Sequence, residues 1–297
     1  MAGTEMEALP QGAIGILGGT GLYEIDGLRD VEERALETPF GSPSDVYVTG
    51  TLEGKRVVFL SRHGRGHQLL PMDINYRANI LGFKLLGVER IISVNSCGSL
   101  QPEIHPRDIV FADQFFDRTR RVNTFFGGGI AAHIGFAEPV CPELVETLHA
   151  AGKELGIRVR KGGAYLCIEG PAFSSKIESN VYRHWGCEVI GMTAATEAKL
   201  AREAEICYAT MNLVTDYDVW HAEEAPVTVE MILENLRLNI EAAKAVIKKA
   251  VAAFPAGRGL KCACGSALAG TIVTREDLIP AEVKDRLRPI IGKYLKG

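Results

Sequence analysis

The chain has 297 residues, 46% hydrophobic and 24% charged, a balance that supports a large core as one big or two modest domains and excludes disordered, fibrous and collagenous classes. Its 33 basic and 37 acidic residues leave a net charge of −4, so no global field draws it to nucleic acid or an anionic membrane, and any bound anion has to be held locally. The first twelve residues carry Glu5 and Glu7 without a basic cluster, and no later run reaches the ~18 apolar residues of a membrane span, so the expectation is a cytoplasmic protein with neither nucleic-acid nor membrane partners.

Short β-branched apolar runs alternate with stretches of helical periodicity. Residues 13–17, 56–60, 90–94, 108–112, 164–168, 188–192 and 208–214 predict strands; 74–86, 142–155 and 196–207 predict helices. That order implies an α/β protein with a central mixed, largely parallel twisted sheet flanked by helices. After Asp218, with Thr228 as N-cap, the apolar spacing of Val229, Ile232, Leu233, Leu236, Ile240, Ala243, Ile247 and Ala250 predicts a long covering helix to about Phe254. The expected division is a domain over 1–254 and a small helical extension over 255–297.

Most of these strands run into a small polar cluster: Gly18-Gly19-Thr20-Gly21, Ser61-Arg62-His63-Gly64, Asn95-Ser96-Cys97-Gly98, Glu169-Gly170-Pro171, Thr193-Ala194-Ala195 and Thr215-Asp216-Tyr217-Asp218. Ligands in α/β sheets bind beyond the carboxyl ends of strands, so the clusters imply one composite site. The first is not a dinucleotide fingerprint, because Glu24 stands where the third glycine is required, and no P-loop motif occurs. What remains is a glycine-rich strand end that could be a tight turn or a phosphate cradle. Arg62, His63, Arg65 and His67 add cationic groups, read either as phosphate ligands or as a solvated basic loop. If the strand stays extended past Val214, Asp216 and Asp218 point to one side. Scattered histidines, a Cys262-Ala-Cys264 pair without a zinc-ribbon partner and the absence of G-x-S-x-G call for no metal, redox cofactor or serine nucleophile.

Together the clusters are specific. The stretches Gly18-Gly19-Thr20-Gly21-Leu22-Tyr23, Arg62-His63-Gly64-Arg65-Gly66-His67, Ile74-Asn75-Tyr76-Arg77-Ala78-Asn79-Ile80, Cys97-Gly98-Ser99-Leu100, Glu169-Gly170-Pro171-Ala172-Phe173-Ser174-Ser175, Met192-Thr193, Leu200-Ala201-Arg202-Glu203-Ala204 and Thr215-Asp216-Tyr217-Asp218 run in order over about residues 13–254. In them the chain resembles the methylthioadenosine phosphorylase branch of the trimeric purine nucleoside phosphorylases. The resemblance implies that inorganic phosphate, a co-substrate and not a cofactor, displaces adenine from C1′ of 5′-methylthioadenosine. It implies a phosphate site of Thr20, Arg62, His63, Asn95, Ser96 and Thr193, with Met192 against the ribose and Phe173 and Ser174 at the base. Asp216, as acid, and Asp218 would meet the N7 and N6 edge of the purine. Val229, Ile232 and Leu233 would line the 5′ pocket, with His133 entering from a neighbouring subunit of a homotrimer or dimer of trimers. Asn95-Ser96 and Gly191 replace the threonine–alanine pair and the asparagine of animal relatives. The C-x-C pair resembles extensions that can close as a disulfide, although two free thiols are the default in a reducing compartment. Purine nucleoside phosphorylase activity on adenosine, or on inosine and guanosine, is the near alternative. Nucleotide binding without catalysis is the distant one.

Overall fold

The computed structural model describes residues 12–221, 229–255 and 261–296. Its axis is β1 (Ala13–Gly18), buried at every position. β2 (Arg29–Arg34) pairs antiparallel with β3 (Tyr47–Leu52), and β3 antiparallel with β4 (Lys55–Ser61), which lies parallel to β1. Asn75 caps α1 (Tyr76–Leu85), its side chain accepting from the Ala78 N–H at 3.2 Å, and α1 carries the chain to β5 (Val88–Ser99), parallel to β1 on its other side. At Gly82, α1 approaches β3 so closely that a Cβ there would lie 2.1 Å from the Tyr47 hydroxyl oxygen, which itself donates to the Asn79 carbonyl.

The second half adds β6 (Ile109–Phe111), β7 (Gln114–Asp117), α2 (Pro142–Glu154), β8 (Val159–Lys161), β9 (Ala164–Cys167), α3 (Lys176–His184), β10 (Cys187–Gly191), α4 (Ala194–Glu203) and β11 (Cys207–Asp216). β7, β9 and β10 run parallel to one another; β11 runs parallel to β5 and carries β6 and β8 beyond it. α5 (Val229–Ala253) packs on β11 and α2, and α6 (Ala281–Ile291) closes the chain. Leu268, Ile279, Val283, Leu287 and Ile291 belong to the same buried cluster as Ile14, Val58 and Ile247. Among the described residues no helix is long and apolar enough to cross a membrane.

All seven expected strands form. β2, β3, β7 and β8 and the helix α3 are additions. The helix expected over 196–207 starts at Ala194 and stops at Glu203. Its first turn, Ala194-Ala195-Thr196, is buried on all sides and so gives no periodic signal. Thr228, expected as a cap, lies outside the described residues.

The topology opens a site in the middle of β5. β1 pairs with β5 only as far as Leu17↔Ser93, and β10 joins the strand antiparallel at Gly98 and Ser99. Between those two contacts β5 lacks the neighbour that β1 supplied, and a strand edge left open inside a protein needs other hydrogen-bond partners. This is a switch in partner order beyond the carboxyl ends of β1 and β4, where a parallel sheet presents its loops.

Candidate active site

A cavity of about 430 Å³ occupies the opening. The polar strand-end clusters meet in it: Gly19, Arg62, His63, Asn95, Ser96, Met192, Thr193, Asp216 and Asp218 all line the same space.

At one end Arg62 supplies the missing partner of β5. Its Nη1 donates to the Val94 carbonyl at 2.9 Å, and its Nη2 reaches Ser93 Oγ at 2.7 Å and the Leu17 carbonyl at 3.3 Å. The guanidinium is buried and paired with the equally buried Glu197, Nε to Oε1 at 2.5 Å and Nη2 to Oε2 at 3.1 Å. Ser93 and Tyr208 donate to the same carboxylate oxygen at 2.6 and 3.0 Å. The fork that would grip an oxyanion from two sides therefore grips Glu197, and one N–H of Nη1 has no acceptor among the described residues, on a side chain that lines the cavity. Asn95 is likewise turned inward: its amide donates to the Ser93 carbonyl and to Thr210 Oγ1, while its oxygen accepts from Thr193 Oγ1 at 2.9 Å. Thr193 stands at the N-terminus of α4, whose free N–H groups favour an anion. His63 Nδ1 donates to the Leu69 carbonyl at 2.8 Å, its ring stacks on His67, and burial, followed by the Arg62 charge, lowers its pKa to about 4. The imidazole is thus neutral at pH 7.

At the other end Asp216 closes β11. Thr215 Oγ1 donates to its Oδ2 at 2.7 Å and the Asp218 N–H to its Oδ1 at 2.8 Å, and burial nonetheless raises its pKa. Burial also pushes Asp218 up to about 6, against the downward pull of the Ser179 hydroxyl. The segment does not stay extended: Asp218 adopts a left-handed φ of 54°. The resulting turn still sends both carboxyl groups into the cavity. It can do so because residue 98 of β5 is glycine, where a Cβ would meet Asp216 Oδ1 at 3.0 Å. Ser174 Oγ is buried here without a hydrogen-bond partner among the described residues, and Phe173 stands 65% exposed over the opening. Arg121 fixes the loops, bonding through Nε to Glu169 Oε1 at 2.7 Å and through Nη1 to the Met192 carbonyl and the Tyr76 hydroxyl.

The other expected residues lie as follows. The side chains of Thr20, Val229 and Ile232 are outside the described ones. Leu233 is 58% exposed and does not line the cavity; Leu236 and Ile240, farther along α5, form its apolar wall with Leu22. His133 is exposed and stands outside the cavity of its own chain, its N–H bonded to the Thr271 carbonyl. Sequence reasoning missed Glu197, Ser93 and Arg121. A buried arginine demands a buried acid, but nothing in the sequence shows that Arg62 is buried.

The family model described as "Phosphorylase superfamily" matches residues 13–252. The chain belongs to that superfamily. It is 56% identical over 285 residues to an S-methyl-5′-thioadenosine phosphorylase of Koribacter versatilis, covering 96% of this chain and 97% of the relative. A Geobacter sulfurreducens protein of the same name is 55% identical, covering 95% and 99%. The crystal structure of a methylthioadenosine phosphorylase from an Antarctic soil metagenomic library superposes with a TM-score of 0.90 at 44% identity, over 94% of this chain and 99% of that one. A single-site mutant of a Schistosoma mansoni adenosine/methylthioadenosine phosphorylase, solved with methylthioadenosine, matches with a TM-score of 0.80 at 33% identity, over 89% and 99%. The family match ends within α5, and α6 with the segment before it lies beyond the matched residues.

Proposed function

We propose that this phosphorylase-superfamily member cleaves 5′-methylthioadenosine with inorganic phosphate, giving adenine and 5-methylthioribose 1-phosphate. The carrying observation is that the oxyanion groups and the acidic pair open into one cavity, of a volume suited to a small ligand. Curated relatives of that name at 45–56% identity support the substrate.

Phosphate sits by Thr193, Ser96, the remaining Arg62 N–H and neutral His63, beneath the sugar. One of its oxygens forms a bond to C1′ as the C1′–N9 bond breaks and its electron pair passes to the purine. Asp216, whose pKa burial raises, gives a proton to N7, and the proton shed by phosphate on forming the ester restores it through solvent. Arg62 and Glu197 cancel each other's charge, so the anion is met mainly by N–H and O–H dipoles that need no reorganisation during reaction. Asp218, ionised above about pH 6, accepts from the 6-amino group, whereas a 6-oxo group would meet it acceptor to acceptor. Leu236 and Ile240 suit a methylthio group, and a 5′-hydroxyl loses little there, so adenosine is a slow substrate.

The assembly in this reading is a homotrimer in which a neighbour's His133 completes the 5′ pocket. Its exposure outside its own chain's cavity supports this. The deciding experiment incubates the protein with methylthioadenosine, adenosine or inosine, with and without phosphate, and quantifies free base. Adenine release only with phosphate, fastest from methylthioadenosine, is expected. Faster hypoxanthine release overturns the substrate, and no release from any of the three overturns catalysis.

A further inference from the structure

The C-x-C pair left unexplained by the sequence finds its partners in space. Cys141 caps the N-terminus of α2 and Cys207 opens β11; Cys262 and Cys264 come from the segment before α6. The four sulfurs all lie within 4.8 Å of one another, the Cys207 and Cys262 sulfurs 3.4 Å apart, and none is bonded to another. Around a tetrahedral zinc with Zn–S bonds of about 2.3 Å, sulfurs stand about 3.8 Å apart. Cys141 and Cys207 are wholly buried and Cys264 nearly so, while Cys262 is partly open to solvent and provides an entry path.

We infer that Cys141, Cys207, Cys262 and Cys264 form a structural four-cysteine site for a single zinc ion. Four thiolates on one divalent cation carry a net charge of about −2, which a dry site tolerates only beside positive partners. Two are in place. The N-terminal end of α2 begins at Cys141, and Arg202 lies near enough to Cys264 to act on its charge. All-sulfur donors at tetrahedral spacing select zinc over the hard cations that prefer oxygen. The ion would staple the C-terminal segment to the body at α2 and β11. That segment holds residues 131–133 through the Ala132↔Ile272 bridge and the Val273 N–H to Ala131 carbonyl bond.

The test uses the full chain, produced with zinc in the medium and purified under reductant. Elemental analysis is expected to give about one zinc per chain, and Co²⁺ added to the metal-stripped, reduced protein to give the near-ultraviolet thiolate charge-transfer bands and intense visible bands of a tetrahedral site. Cys262→Ser is expected to weaken Co²⁺ binding at least about tenfold, and Cys187→Ser, outside the cluster, to leave it unchanged. A chelator should lower the Tm of the parent protein and not that of Cys262→Ser. Zinc below about 0.1 equivalent together with no Co²⁺ charge-transfer band overturns the site. So does mass spectrometry after alkylation showing these four cysteines paired as disulfides in protein taken from cells. Should Cys262→Ser fail to fold, the parent's metal content and cobalt spectrum still decide. None of these readouts involves phosphorolysis, so they stand or fall apart from the proposed activity.

Discussion

At the phosphate end Arg62, Glu197, Ser93, Asn95, Thr193, Thr210 and Tyr208 form one buried network in which the charges are paired and the amide and hydroxyl groups are hydrogen-bonded. At the base end Asp216 and Asp218 lie in the same cavity with no cation among the groups that shift them, and burial raises both pKa values. The first arrangement lowers the reorganisation needed to receive an anion and makes the end rigid. The second holds free energy in two carboxyl groups whose pKa values burial moves up from the usual carboxylate range, the direction that a proton donor at Asp216 needs. A phosphorylase requires both, because the nucleophile arrives already charged whereas charge on the leaving base develops only as the bond breaks.

The largest effect that can break this contrast is on Asp216. Asp216→Asn keeps the shape and removes the acid, so kcat for methylthioadenosine should fall on the order of 10² to 10⁴ with the phosphate KM nearly unchanged. Steady-state kinetics varying each substrate separate the two. A comparable rise in phosphate KM would show that the ends are not independent. Glu197→Gln strikes the other end and acts first on stability: the Arg62 charge is left buried without its counter-ion, at a cost of about 3–5 kcal/mol readable in urea unfolding. An unchanged midpoint would mean that Arg62 swings out to solvent.

The pKa of Asp218 gives a smaller and more discriminating effect. Above about pH 6 it is ionised and accepts from a 6-amino group; as pH falls through that value it gains a proton, becomes a donor and can meet a 6-oxo group. The ratio of kcat/KM for methylthioadenosine to that for its 6-oxo analogue should therefore drop by about tenfold between pH 7.5 and 5, whereas Asp218→Asn should show a low ratio without pH dependence. A ratio flat with pH in the parent protein would assign the discrimination elsewhere.

How far the sequence could be read follows the same contrast. β1, β4, β5 and β11 are legible because strands buried on both faces are nearly continuous apolar runs. β2, Arg-Asp-Val-Glu-Glu-Arg with five of its six residues exposed, carries charge where an edge strand needs protection and so reads as loop. α3 buries only Ser179 and Tyr182 and leaves no apolar stripe to find. Asp216 and Asp218 were visible as a pair at a strand end. Glu197 was not, since its partner lies 135 positions earlier, and neither was the meeting of Cys141 and Cys207 with the C-x-C pair, because separated single cysteines carry no spacing.

The smallest expected effect concerns how firmly the base end is held. Phe173 and Ser174 have no regular structure of their own; they are anchored by the helix that follows, where Ser175 and Glu178 form a reciprocal cap, the Ser175 N–H bonding to Glu178 Oε2 at 2.8 Å and Ser175 Oγ accepting from the Glu178 N–H at 3.4 Å. Ser175→Ala removes one half of that cap and should cost about 1 kcal/mol locally. Because the proposed reading puts this loop against the nucleoside and not the phosphate, the loss should appear as a rise of up to about fivefold in the nucleoside KM, with kcat and the phosphate KM held. Fraying of α3 in amide hydrogen exchange with no change in either KM would mean that Arg121, bonded to Glu169 and Met192, fixes the loop without help from the helix.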